Sequence, residues 1–401
     1  MSSLRFYAGD QLGRIHALNV ALQNPKEPQI VSQPAYIEDA PDKTQAVRIL
    51  KLSQDAEPLV ACARADSSAA VYSINEDASL NLLSRWKPAR TGLWLSLDFV
   101  PERGILTCST TGHVALSSHE GELLSSATAS LPAKLKDLRL SGDSKSFATG
   151  GDEVELSTWD LEKTLASDGA QPAPAANPTK KRKAKNSELL PGETWRAQNV
   201  PNDELNLRVP VHVTSLCYLG DASKSNEIVT GTSFGAVRQY DTRTKRRPVA
   251  NWTEVVKKGG ISRMERGVSE HDVFLADERG QLFALDLRNG KQLYSYKGIG
   301  GTVNSMTLSG SNHILSSSMD RYVRLHTTFP APSTAGKNMD GRGEIVAKLY
   351  TQDVVTAVAS TPIAVPQTSL GDEEDGEDIW DQMQSVDDDE EDQTRRKRRK
   401  T

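Results

Sequence analysis

A closed ring of seven four-stranded β-sheets, an all-β propeller, is the fold class that the sequence predicts, and three observations predict it. A strand, tight turn, strand frame recurs along the chain. Its turns fall near residues 13, 69, 112, 152, 235, 280 and 321. Most gaps between them run from 40 to 56 residues, close to the ~40–45 of a four-stranded WD40-type blade. One gap, of 83 residues, needs its own account.

The frame is clearest over residues 227–253. Residues 227–231 form a short β-rich run that ends in small residues. Ser233, Phe234 and Gly235 supply the turn, since glycine enters positive φ without a Cβ clash. Residues 236–241 alternate in the manner of a half-buried strand. The same frame returns over 273–290 with Gly280 and Asp286, and over 314–328 with Arg321 at the turn. Upstream copies lie at 148–163, 106–117 and 6–18, with a degenerate one at 60–72.

Taken in order, the first strand (residues 4–8) has no strand before it, so a later segment must complete blade one. Residues 354–360 are predicted to do so, directly after an outer strand of blade seven at 345–350. This sharing removes the open sheet edges that invite aggregation. Blade two is the weakest copy, with no glycine at its turn and residues 34–42 read as a long loop ahead of it. Blade three opens over 91–100, where alternation puts Leu93, Leu95, Leu97 and Phe99 on one face. Residues 164–192 account for the long gap. They are rich in Pro, Ala and Lys without strand periodicity, so a disordered insertion between blades four and five is expected, not an eighth blade. The propeller is thus expected to span 1–360, and 361–401 to be a disordered tail, acidic and then basic.

Of the 401 residues, 37% are hydrophobic and 25% charged, which permits a core beneath a polar surface. Residues 1–12 read as a strand, not a secretory leader, and no apolar run approaches the roughly 18 residues of a membrane span. A soluble, intracellular protein without membrane partners is the expectation. Cys62, Cys108 and Cys217 are too far apart for a paired framework or a zinc site, and read as small buried hydrophobes. The net charge of −5 is uneven: residues 371–392 hold 13 acids and no base, and residues 395–400 are six bases. The 53 acids less those 13 leave 40, and the 48 bases less those six leave 42, so the rest is near neutral.

Catalytic patterns are absent or explained away. Residues 231–235 match G-x-S-x-G, but a nucleophile elbow needs a following helix, and a strand in register with its sister repeats follows instead. There is no phosphate-binding loop of the G-x-x-x-x-G-K-[ST] type, Gly298-Ile299-Gly300-Gly301 lacks the third glycine and helix of a dinucleotide site, and the seven histidines show no metal-ligand spacing. No catalytic residue, cofactor or metal is expected.

Basic segments remain. Lys180, Lys181, Arg182, Lys183 and Lys185, and the terminal Arg395, Arg396, Lys397, Arg398, Arg399 and Lys400, read as nuclear or nucleolar signals. Arg243, Lys245, Arg246 and Arg247 differ because a folded hairpin holds them, and ordered arginines engage phosphate bidentately at low entropic cost. Arg238, Arg279 and Arg324 are expected to extend this into one basic surface. In the acidic tail, Ile379, Trp380 and Met383 form an apolar island of the kind a docking peptide uses.

The motifs of the later blades resemble a known family. Tyr240-Asp241-Thr242-Arg243 with Arg246-Arg247-Pro248-Val249 is similar to the WD-repeat ribosome-assembly family that includes the fungal Nop-seven-associated protein one and its animal WD-repeat counterpart. So are Ala276-Asp277 with Gly280, Ala284-Leu285-Asp286-Leu287-Arg288, and Met319-Asp320-Arg321-Tyr322-Val323-Arg324. The likeness is dense over 227–328 and looser over 1–160; among the blades only Trp159-Asp160 keeps the general dipeptide. The resemblance implies a nucleolar factor of large-subunit (60S) biogenesis with no catalysis of its own. It implies residence on pre-60S particles beside other factors including a Brix-domain protein and removal by an AAA ATPase; direct contact with pre-rRNA through the basic hairpin is left open. The competing class is a nuclear WD-repeat adaptor of a ubiquitin ligase or chromatin complex.

Overall fold

The computed structural model describes residues 3–361 apart from 22–27, 38–40, 55–56, 89–91, 119–125, 167–188, 221–224, 311, 337–338 and 340–342. Their strands form seven four-stranded antiparallel sheets arranged as a β-propeller. The innermost strands are Val355–Ser360, Val47–Leu52, Trp94–Val100, Leu135–Leu140, Val213–Tyr218, Ile261–Arg266 and Val303–Ser309. They touch in cyclic order around a central channel.

Blades pack face to face, so their middle strands are covered on both sides. Leu216, Ile228 and Tyr240 of blade five pack with Ala148, Leu156 and Trp195 of blade four. In blade six every residue of Asp272–Asp277 and of Leu282–Asp286 is buried. Such strands show continuous apolar runs instead of clean alternation.

Closure lies in blade one. Phe6, Tyr7, Ala8 and Gly9 pair with Ser360, Ala359, Val358 and Ala357, while Ile345–Tyr350 pairs with Tyr322–Thr327 as the outer strand of blade seven. Polar links also join successive inner strands. Thr214 Oγ1 donates to the Ile261 carbonyl at 2.6 Å, and Asn304 Nδ2 to that of Val355 at 2.9 Å. Thr356 Oγ1 donates to the Val47 carbonyl, and Asp137 Oδ2 accepts the Leu216 N–H at 2.9 Å.

At the second hairpin of every blade one residue has positive φ: Gly13, Ser67, Gly112, Glu153, Gly235, Gly280 and Arg321. At Gly235 a Cβ would lie 2.1 Å from the Val256 carbonyl oxygen. Arg321 occupies the equivalent place at φ 64°, where an L side chain costs roughly 1–2 kcal/mol. Part of that relief is offset by glycine's greater unfolded-state entropy. Arg321→Gly is therefore expected to raise stability by up to about 1 kcal/mol, read as a higher urea midpoint at unchanged slope.

Three expectations from the sequence are corrected. Pro34 is not in a loop: it pairs with His16 in Gln29–Tyr36, the outer strand of blade one, where no further strand requires its missing N–H. Leu93 is not buried with Leu97. It precedes the strand and is 62% exposed, because the register shifts between Trp94 and Ser96 and the inner strand opens toward the channel. The segment 164–192 is not wholly unstructured. Leu161–Ala166 is a helix, Leu165 packs with Trp159 and Leu161 in the core, and Gly192 lies against Thr164. Residues 167–188 fall outside the described part. All three cysteines are buried and none is in a disulfide.

Candidate interaction surface

The basic corner follows the third strand of blade five, Val237–Asp241. Its first arginine folds back on the chain. Arg243 donates Nε to Asp241 Oδ1 and Nη2 to Oδ2, both at 3.1 Å, and its own N–H caps Oδ1 at 3.0 Å. These bonds hold the Asp241 carboxyl below the ordinary carboxylate range. Blade six repeats the clamp: Arg288 reaches Asp286 Oδ1 at 2.9 Å and Oδ2 at 3.0 Å. Burial favours protonation of Asp286, and the Arg288 hydrogen bonds outweigh it. The Asp-x-Arg spacing in both blades thus has a structural use, closing the corner after the third strand.

Beyond the clamp the corner turns toward blade four. The Arg246 carbonyl accepts the Gln198 N–H at 2.8 Å, and Arg246 Nε donates to the Arg196 carbonyl at 2.7 Å. Lys245 and Arg247 are exposed. Arg247 borders a recess of about 580 Å³ whose other walls come from residues 198–208. Those residues form a loop organised by Asp203, whose Oδ1 accepts the N–H groups of Leu205 at 3.0 Å and Leu207 at 2.7 Å. Leu205 is 78% exposed at its tip and Leu207 is also exposed. Arg208 pairs with Glu153 at 2.7 Å, and His212 meets both Asp152 at 3.1 Å and the ring of Phe234 at 5.3 Å. Phe234, at the tip of the blade-five hairpin, is 58% exposed. The structure therefore sets cations beside apolar side chains held on an ordered loop. Asp203 in N-D-E-L-N-L, an acid two and four residues before the leucines, is the signal in the sequence that marks this loop.

Two arginines expected on the basic surface are not on it. Arg238 is 5% exposed, inside the stack between blades four and five. Its charge acts on Glu155, whose carboxyl burial pushes up to about 7 against the pull of Arg238. Arg324 is 4% exposed and donates to Asp320 Oδ2 at 2.6 Å and to Ser318 Oγ at 2.9 Å, with Tyr322 stacked 4.9 Å away. Asp10 and Arg14 repeat this pairing across the turn of blade one at 2.6 Å. Arg279 does sit exposed on the blade-six turn. Lys180 to Lys185, Ile379, Trp380, Met383 and Arg395 to Lys400 lie outside the described residues. Among the described residues no group of His, Cys, Asp and Glu is placed to hold a metal ion, and no helix is long and apolar enough to cross a membrane.

Seven four-stranded blades, three of which end the third strand in an aspartate at the WD position (Asp160, Asp241, Asp286), define a WD-repeat propeller. Homologues of the chain are the animal WD repeat-containing protein 74 and the fungal ribosome biogenesis protein NSA1. Human WD repeat-containing protein 74 is 32% identical over 181 residues, 45% of this chain and 39% of that protein. Ribosome biogenesis protein nsa1 of Schizosaccharomyces pombe is 27% identical over 231 residues, 53% of this chain and 57% of its own. NSA1 of Saccharomyces cerevisiae is 26% identical over 159 residues, 33% and 34% of the two chains. The chain thus spans well under two thirds of the length of the relatives it matches. No protein-family model matches it.

Proposed function

We propose that this propeller is a non-catalytic assembly factor of ribosome biogenesis, acting on the large subunit in the nucleolus. It docks on pre-60S particles through the blade four–five rim and is later removed by an AAA ATPase. The observation that carries the reading is the combination on that rim. Lys245, Arg246 and Arg247 offer phosphate-binding charge, while Leu205 and Leu207 on the neighbouring loop offer the apolar anchors that protein partners bury. A particle of RNA and protein, including a Brix-domain neighbour, presents both chemistries at once. The names of the homologues support the same assignment. The terminal basic run from Arg395 to Lys400 suits nuclear entry, and Ile379, Trp380 and Met383 suit recruitment of a partner.

The test is a combined Lys245→Glu, Arg246→Glu, Arg247→Glu variant, which leaves the Arg243–Asp241 clamp intact. Tagged protein is fractionated from nuclear extract on a gradient and the co-purifying RNA is sequenced. The wild type is expected in heavy fractions with large-subunit precursor rRNA. The variant is expected to shift to light fractions while keeping a cooperative melt, lowered only by loss of the Arg246–Arg196 bond. A variant that stays heavy overturns the rim assignment. A wild type found only in a light complex without precursor rRNA overturns the assembly-factor reading in favour of a nuclear adaptor.

A further inference from the structure

We infer that the central channel is an anion site, taking a phosphate-bearing ligand at Arg48 and Arg263 on its wall. The channel encloses about 850 Å³, within the range of small-molecule sites. Most charges on its wall are already matched. Lys51 holds Asp98 at 2.9 Å. Arg139 lies 3.4 Å from Asp137 and 3.8 Å from Glu265. Lys136 turns to Asp152 at 3.2 Å.

Arg48 and Arg263 have no carboxylate within ion-pair distance among the described residues. Arg48 is exposed to the channel and has no hydrogen bond or ion pair among the described residues. Arg263 donates only to neutral backbone carbonyls, Nε to Asn304 at 2.9 Å and Nη1 to Ser262 at 3.1 Å. These bonds fix its plane without neutralising it, and the surrounding protein lowers its pKa from the ordinary guanidinium value against the pull of Asp137, while the side chain stays exposed to the channel. Ser305, on the next inner strand, accepts the Val358 N–H at Oγ and keeps its own proton to donate. An unmatched charge crowded by protein is stabilised by a counter-charge. The planar fork of arginine fits phosphate in particular. Small size separates this ligand from the extended particle surface proposed for the rim.

The experiment is calorimetric titration of the full chain with sodium tripolyphosphate, and with a 5′-phosphorylated RNA trinucleotide beside its 5′-hydroxyl form. Wild type is expected to bind at least one phosphorylated probe. Arg48→Met and Arg263→Met should each weaken binding at least tenfold, and the double variant should abolish it. The rim variant Lys245→Glu, Arg246→Glu, Arg247→Glu should bind as wild type does, so loss of one site does not mimic loss of the other. Arg48 has no internal partner to lose, so its single variant remains a valid test even where Arg263→Met compromises folding. Binding of tripolyphosphate points to a free polyphosphate, and tighter binding of the phosphorylated trinucleotide than of both other probes points to an RNA end. No binding of either phosphorylated probe to folded wild type overturns the inference, as does undiminished binding to the double variant.

Discussion

Deleting residues 345–360 is expected to abolish the folded monomer. The deletion removes the outer strand of blade seven and the strand that completes blade one. Val355, Ala357, Val358 and Ala359 are buried there. Burial of the two valines alone contributes about 3–6 kcal/mol, against a total of roughly 5–15 kcal/mol for a native protein. The lost ladder also leaves Ser3–Asp10 and Tyr322–Thr327 with unpaired edges, a template for association. Light scattering after size exclusion should report aggregates or an expanded chain. A monodisperse monomer with a cooperative melt would show that the ring does not depend on this closure.

Acid is expected to destabilise the protein through His326. This side chain is fully buried on the third strand of blade seven, shares a 2.7 Å hydrogen bond with Ser316 Oγ, and lies 4.5 Å from the Tyr296 ring. Burial, with a smaller effect of the Arg324 charge, lowers its pKa to about 3. The unfolded chain takes up the proton near 6.5, so protonation favours the unfolded state in the window between these values. Stability is full above pH 6.5 and falls as pH drops. At pH 5, about 1.5 units below the unfolded value, the loss is about 2 kcal/mol. His326→Gln keeps a partner for Ser316 without titrating. Denaturant melts at pH 7 and pH 5 should show wild type losing about 2 kcal/mol more than the variant over that interval. Equal losses would remove His326 as the cause.

Periodicity made the ring legible because each blade repeats the same turn. Gly13, Gly112, Gly235 and Gly280 mark it, and Arg321 at φ 64° shows that a non-glycine copy keeps the conformation. The interior was less legible. Strands covered on both faces have no solvent side, so alternation carries no information about which of their polar residues point out. Arg238 and Arg324 therefore read as surface charge and are buried. The basic corner was visible as composition, but its neighbours were not. Leu205 and Leu207 belong to a loop ordered by a single aspartate, and only the fold brings residues 196–198 beside Arg246. The unmatched pair Arg48 and Arg263 is likewise invisible in sequence, since more than 200 residues separate them and the channel is made by closing the ring.

The pairing of Asp10 with Val355 and Phe6 with Ser360 also fixes when the molecule is complete. About 345 residues lie between the two partners, or roughly 20–70 s of translation at 5–20 residues per second. For that interval the inner edge of the strand Ser3–Asp10 has no partner in its own chain, while its other edge pairs with Ile15–Ala21 as soon as that hairpin emerges. A nascent chain stalled just before residue 355 is therefore an arc of six full blades and three strands of a seventh with a sticky end, and the cell must shelter that edge until the last strand arrives.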